Sequence, residues 1–293
     1  MGRVLLFVVA VLSSSIASAQ ETAEEFESKL GYRTGTVDVG DGLATLRLPD
    51  SFRFIGPEGS KRLLVDAWGN PAETAEDVLG MLVPSAVSPL ADEGWGIVIT
   101  FDSDGYVDDE DAGSIDYGKM LREMQESAAE ANEERTAQGF DAVRLIGWAE
   151  PPHYDAAAHK LYWAKELAFG DSPEHTLNYN IRILGRRGVL VLNAVSQMGQ
   201  LEEIRSSSQA LLPAVEFNDG HRYADFDPKT DKEADYSLAG LVLGGAVAAK
   251  VAAKVGLLAK LGAVLLAAKK FVIIGLIAIA VFIKKLFGRK SEA

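Results

Sequence analysis

Four apolar or alternating runs follow one another in the C-terminal half of this chain, at residues 142–148, 160–169, 175–184 and 188–196. The joints carry Pro151 and Pro152, Gly170 and Pro173, and Gly185 and Gly188, residue types that turn a chain. Consecutive strands with turn-like joints favour an antiparallel meander. Whatever the rest of the chain does, it must pack against that sheet. It must do so by burial alone, because the 293 residues include no cysteine. That also excludes disulfides, thiolate metal sites and cysteine nucleophiles.

The flanking segments add helices and more strands. A short helix is predicted at 21–30, strands at 36–39 and 43–48 around Gly40, Asp41 and Gly42, and another strand edge where Phe52 and Phe54 follow Pro49. Helices are predicted at 57–67 and 75–82, parted by Gly69, Asn70 and Pro71. Residues 95–101 are β-rich and end in the turn sequence Asp102, Ser103, Asp104, Gly105. The clearest helix is 115–137, with Tyr117, Met120, Leu121, Met124 and Ala128 on one face. A closing helix at 201–212 stops at Pro213. The predicted class is α+β, an antiparallel sheet packed with helices, and the element order is similar to the Mog1/PsbP-like fold.

Two apolar ends enclose this middle. Arg3, the run 4–12 and the small residues Ala17, Ser18 and Ala19 have the layout of a signal peptide at 1–19. At the other end, 269–288 is read as a transmembrane helix, with Lys269 and Lys270 at one interface and Lys284 and Lys285 at the other. Its apolar length is close to the roughly 30 Å of hydrocarbon it must cross. Lys250, Lys254 and Lys260 argue against a simple span for 237–268, which is read as a membrane-associated helix. Gly240, Gly244, Ala248 and Ala252 recur at every fourth position, which suits close helix approach and a homo-oligomer through the tail. The remaining blocks are an exported domain at 20–221, a charged linker at 222–236 and a basic cytoplasmic end at 289–293.

Of the 29 basic and 42 acidic residues, ten basic and one acidic residue lie in the two ends, so the middle carries a net charge of −22. Such a surface repels nucleic acid and anionic headgroups, leaving the inner membrane at the tail and an envelope protein as candidate partners. The predicted location is the bacterial inner membrane with the main domain in the periplasm.

Candidate chemistry is sparse. Asp102, Asp104, Asp108 and Asp109, with Glu110 and Asp111, could gather oxygens around Ca²⁺, but Gly105 does not sit where an EF-hand needs it and the late Glu is missing. The competing reading is a turn followed by a solvated acidic loop, with no cofactor. His153, Asp155, His159 and Glu166 lack the spacing of a zinc hydrolase. His175 and His221 stand apart from them. Trp148, Tyr154, Tyr162, Trp163 and Tyr179 could line a binding groove or fill a core, and Arg186 and Arg187 could grip an anion or close an ion pair. Glu150 and Glu166 could be drawn as an acid and base pair. Serine elbows and phosphate-cradling glycine loops are absent from the sequence.

Several stretches, LLVDAWGNP at 63–71, GYVDDED at 105–111, GWAEPPHYD at 147–155, LYWAKEL at 161–167, NYNIRILGRRG at 178–188, LVLNAV at 190–195 and RYADFDPKTDKEADY at 222–236, resemble a family of uncharacterised, predicted membrane-anchored bacterial proteins, domain of unknown function 2167. The resemblance implies the architecture and supplies no catalytic residue. The reading these features favour is a non-enzymatic, membrane-anchored envelope protein with a periplasmic binding domain. Two alternatives stay open: a hydrolase using His153, Glu166 and Arg187, and an oligomerising tail regulated by the acidic domain.

Overall fold

The computed structural model describes residues 21–244, apart from 138 and 140. The signal-like run and most of the apolar tail, with Lys269, Lys270, Lys284 and Lys285, lie outside the described residues. Among the described residues no helix is long and apolar enough to cross a membrane.

Helix α1 (Ala23–Ser28) opens on a capping box in which Thr22 and Glu25 satisfy each other's backbone N–H. Strands β1 (Thr36–Val39) and β2 (Ala44–Arg47) form the expected hairpin around Gly40 to Gly42. After β3 (Phe52–Ile55), Pro57 opens helix α2 (Pro57–Arg62), which continues as a π-helical turn at Leu63–Ala67. Strands β4 (Gly80–Pro84) and β5 (Ile97–Asp102) precede the long helix α3 (Tyr117–Ala137). The meander follows as β6 (Val143–Asp155), β7 (Lys160–Phe169), β8 (Thr176–Leu184) and β9 (Val189–Gln197). Helix α4 (Leu201–Leu211), strand β10 (Val215–Phe217) and helix α5 (Leu238–Leu243) complete the described chain.

Seven strands make one antiparallel sheet in the order β3-β4-β5-β9-β8-β7-β6, and β1-β2-β10 make a second. The small sheet and α4 cover one face of the large sheet, burying Phe52, Leu82, Ile99, Tyr179, Ile181 and Leu192. The other face is covered in two halves. Helices α1 and α2 lie over Ile55, Met81, Val83 and Val98, while α3 and α5 lie over Leu145, Trp163, Leu184 and Val191. The predicted face of α3 is the one used, with Met120, Met124 and Ala128 buried.

Three expectations need correction. The helix predicted at 75–82 is a 3-10 turn at Ala72–Ala75 followed by β4. All five β4 residues are buried, and a strand covered on both faces reads as a continuous apolar run that periodicity cannot separate from a buried helix. Strand β6 runs on through Pro151 and Pro152 to Asp155. It is an outer strand, so its outward N–H groups need no partner, and its register shifts against β7 absorb the prolines. The third correction concerns 222–236. Instead of an extended linker, it is a strap folded onto the domain, and the domain continues through α5, where Leu238, Leu241 and Val242 are buried. Charged residues without apolar periodicity look solvated in sequence. Here they find partners on distant loops.

Candidate functional site

Strap residues 222–237 lie against the acidic loop at 102–111 and the β8–β9 turn. Asp231, its side chain only 1% exposed, accepts from Arg186 Nε at 2.6 Å and Arg187 Nε at 3.0 Å. It also caps the backbone N–H of Asp227 at 2.9 Å. The Arg186 hydrogen bond, then that backbone bond, hold the Asp231 carboxyl well below the usual carboxylate range. Beside it, Tyr106 N donates to Lys232 O at 2.9 Å and Ala234 N donates to Tyr106 O at 2.7 Å. Gly105, at φ +123°, makes this approach possible, since a Cβ there would stand 2.6 Å from the Lys232 carbonyl.

An aromatic column stacks next to this ladder. Phe226 lies 3.9 Å from Tyr106, Tyr106 lies 4.4 Å from Tyr223, and Tyr223 lies 4.0 Å from His159. Asp109 closes the column from beneath, 2.5 Å from the Tyr154 hydroxyl and 3.3 Å from His159 Nδ1. Burial works to raise the Asp109 carboxyl, but hydrogen bonds from Tyr154, Tyr223 and His159 outweigh it and hold it below its ordinary value. Burial and the Asp109 carboxylate push the Tyr154 phenol far up. A phenol acting as nucleophile or base needs the opposite shift. Tyr154 and His159 both reach Asp109, and His159 stacks on Tyr223 of the strap.

The acidic loop also takes contacts from the end of the strap and from α5. Asp104 accepts from Tyr236 Oη at 2.9 Å, and Asp111 accepts from Ser237 Oγ at 2.5 Å and from Ala239 N at the start of α5. Asp108 caps Glu110 N at 2.6 Å. Asp102 lies at the end of β5, within electrostatic reach of Arg182. The four aspartates considered for Ca²⁺ thus have separate partners, and among the described residues no three His, Asp or Glu side chains are placed to hold a metal ion.

A second feature lies inside the sheet, on the face covered by α3 and α5. Strand alternation puts Lys165 on β7, Asn178, Asn180 and Arg182 on β8, and Asn193 on β9 on this one face, with Lys165 opposite Asn178 and Asn180 opposite Asn193. Asn180 and Asn193 are 5% and 6% exposed, and Lys165 and Arg182 are half-buried. A chain of bonds links Arg182 and the three asparagines: Arg182 Nη2 to Asn180 Oδ1 at 3.2 Å, Asn180 Nδ2 to Asn178 Oδ1 at 2.7 Å, and Asn178 Nδ2 to Asn193 Oδ1 at 3.3 Å. The Arg182 guanidinium also sits 5.1 Å from the Trp163 ring centroid. Burial, then the Arg182 charge, push the Lys165 amine down to about 8. Burial pushes Arg182 down to about 10, against the pull of Asp102 and Tyr236.

The aromatic and basic residues singled out in sequence do not form one groove. Trp163 is core, and Trp148 packs on the same face with its indole donating to Tyr117 O at 3.1 Å. Tyr162 is on the opposite face with Tyr179. Tyr154 and Arg187 go to different partners, Tyr154 to Asp109 of the acidic loop and Arg187 to Asp231 of the strap. The hydrolase trio is separated. His153 pairs with Tyr162, Glu166 is opposite Leu177 and bonds His175 at 2.5 Å, and Arg187 lies beyond Leu184. At ~3.3 Å per residue, Leu177 to Leu184 alone is about 23 Å. Glu150 is bound by Arg205 at 3.3 Å. Sequence reasoning passed over Lys165, Arg182 and the three asparagines, whose signal is the alternation Asn178, Tyr179, Asn180, Ile181, Arg182. Such a pattern normally marks a solvated face, and here that face is roofed by helices.

The fold and these contacts define a mixed α/β domain of antiparallel sheets packed against helices, closed by a strap that leads into an apolar tail. The chain belongs to the family described as Protein of unknown function (DUF2167), whose match covers residues 31–280. No curated protein matches it. Among solved structures it is similar to the PsbP of Synechocystis sp. PCC 6803 (CyanoP; TM-score 0.33, 10% identity, 62% of this chain and 91% of that one). It is also similar to the Ran-binding protein Mog1p of Saccharomyces cerevisiae (TM-score 0.34, 10% identity, 67% and 100%). A third is LpqN of Mycobacterium tuberculosis, described as involved in cell envelope biogenesis (TM-score 0.30, 12% identity, 67% and 96%). At these scores the likenesses carry no functional argument.

Proposed function

We propose that the chain is an exported, membrane-anchored envelope protein whose acidic domain is a non-catalytic binding module held close to the inner membrane by a C-terminal transmembrane helix. The observation that carries the reading is the strap. Arg186 and Arg187 on Asp231, the Tyr106 ladder and the burial of α5 stitch the chain to the domain up to Leu243, just before the long apolar tail begins. The strap therefore does not act as a loose linker between the sheet and α5, and the domain extends to the point where the apolar tail sequence begins. The signal-like N-terminus and the Lys-flanked run at 269–288 support export and anchoring. The domain's net charge of −22 favours a cationic or neutral partner in the envelope.

Fractionation tests this. The intact chain is expected to stay with membranes through alkaline carbonate extraction, and a chain ending at residue 244 to be released as a folded domain. Release of the intact chain by carbonate would overturn the anchored reading.

A further inference from the structure

Lys165, Asn178, Asn180, Arg182 and Asn193 share one sheet face, and Arg182 and the three asparagines form a hydrogen-bonded chain, beside Lys165, in which each amide oxygen is already taken by a neighbour's N–H. Each asparagine is balanced, with two N–H donors and one oxygen that can accept twice, whereas lysine and arginine bring donors only, so the donor excess comes from the two cations and survives any rotation of the amides. Lys165 has no carboxylate partner within ion-pairing distance among the described residues, and the Asn193 amide donates to none of them. On the same face the Trp163 indole N–H is buried without an acceptor. Two half-buried cations and a row of donors, of which Asn180 and Asn193 are buried, thus lie together in a domain whose surface is strongly acidic. Buried donors and charges without acceptors are costly, and such a cluster is stabilised when an acceptor-rich anion enters.

We propose that this polar floor is a binding site for a phosphate ester, with Lys165 and Arg182 as its charged contacts and Asn193 as a neutral donor. From Asn178, opposite Lys165, to Arg182 is about 13 Å along β8 at ~3.3 Å per residue. The ligand therefore carries further polar groups besides the phosphate. Two sources supply that chemistry, a soluble phosphorylated metabolite and the headgroup of an anionic lipid. Asp102 lies toward the Arg182 end of the floor and biases the phosphate toward Lys165. The site is independent of where the chain resides, so its failure would leave the anchoring proposal untouched.

The test uses the full chain in neutral detergent, with its lysines reductively methylated in ¹³C for NMR. The two probes are glycerol phosphate and short-chain phosphatidylglycerol in mixed micelles. Binding is expected to shift the Lys165 methyl signal and to raise the melting temperature. A response to glycerol phosphate assigns the site to soluble esters, and a response to the lipid alone assigns it to a headgroup. Lys165→Met, which keeps the volume and removes the charge, should fold and weaken binding at least about tenfold. Asn193→Asp, nearly isosteric, should weaken it by a similar factor through repulsion. No Lys165 shift with either probe, or undiminished binding by both folded variants, would overturn the proposal.

Discussion

Asp231 joins two consecutive arginines of the β8–β9 turn to a segment some 45 residues away, with its side chain only 1% exposed. Asp231→Asn removes the charge that both guanidinium groups face, so the strap should become cleavable by low levels of trypsin at Lys229 and Lys232 while the sheet stays resistant. The pH dependence follows from the same carboxyl. Its folded value is depressed, so its stabilisation is complete above the unfolded value of ~3.9 and is lost only as pH falls below that toward the folded value. Hydrogen exchange of the strap amides should therefore stay slow at pH 5 and accelerate well below pH 4. Gly105→Ala acts on the same contact from the other side, because its Cβ would meet the Lys232 carbonyl at 2.6 Å. It should reproduce the protease sensitivity of Asp231→Asn, and full protection would show that the strap does not depend on this approach. None of these partners was legible locally. The loop 102–111 reads as acidic and open, since the Tyr236 that occupies Asp104 comes 132 residues later.

Helix α5 has six residues, too few to be stable alone, so its order comes from what it covers. Leu238 is fully buried there, and Leu238→Ala should cost about 2–5 kcal/mol in chemical denaturation of the domain. A domain ending at 236 should melt lower and bind more of a hydrophobic dye than one ending at 244, because Trp163, Leu184, Val189 and Val191 lose their cover. Equal melting points would mean that α5 is not part of the cooperative unit. The sequence revealed α3, α4 and the four-strand meander because each repeats its period over many residues on one face. Strand β4 was hidden by burial on both faces, and the full length of β6 by Pro151 and Pro152, which an outer strand tolerates. The polar floor was invisible for a related reason. The alternation 178–182 says which residues share a face, but only the positions of α3 and α5 make that face an interior.

Across the whole molecule, the acidic domain, its strap and its apolar tail form one continuous path, and the account stands on the tail entering a membrane from the exported side. The composition of the two ends was open to reading from the start. The strap that folds back onto the domain was not, because its charges read as solvated. The most direct test is protease accessibility in spheroplasts of a chain tagged in the exposed 171–174 turn and again at Ala293. An accessible turn tag with a protected C-terminal tag is the predicted result, one span with the domain outside. A protected turn tag would place the domain on the cytoplasmic side and contradict the account.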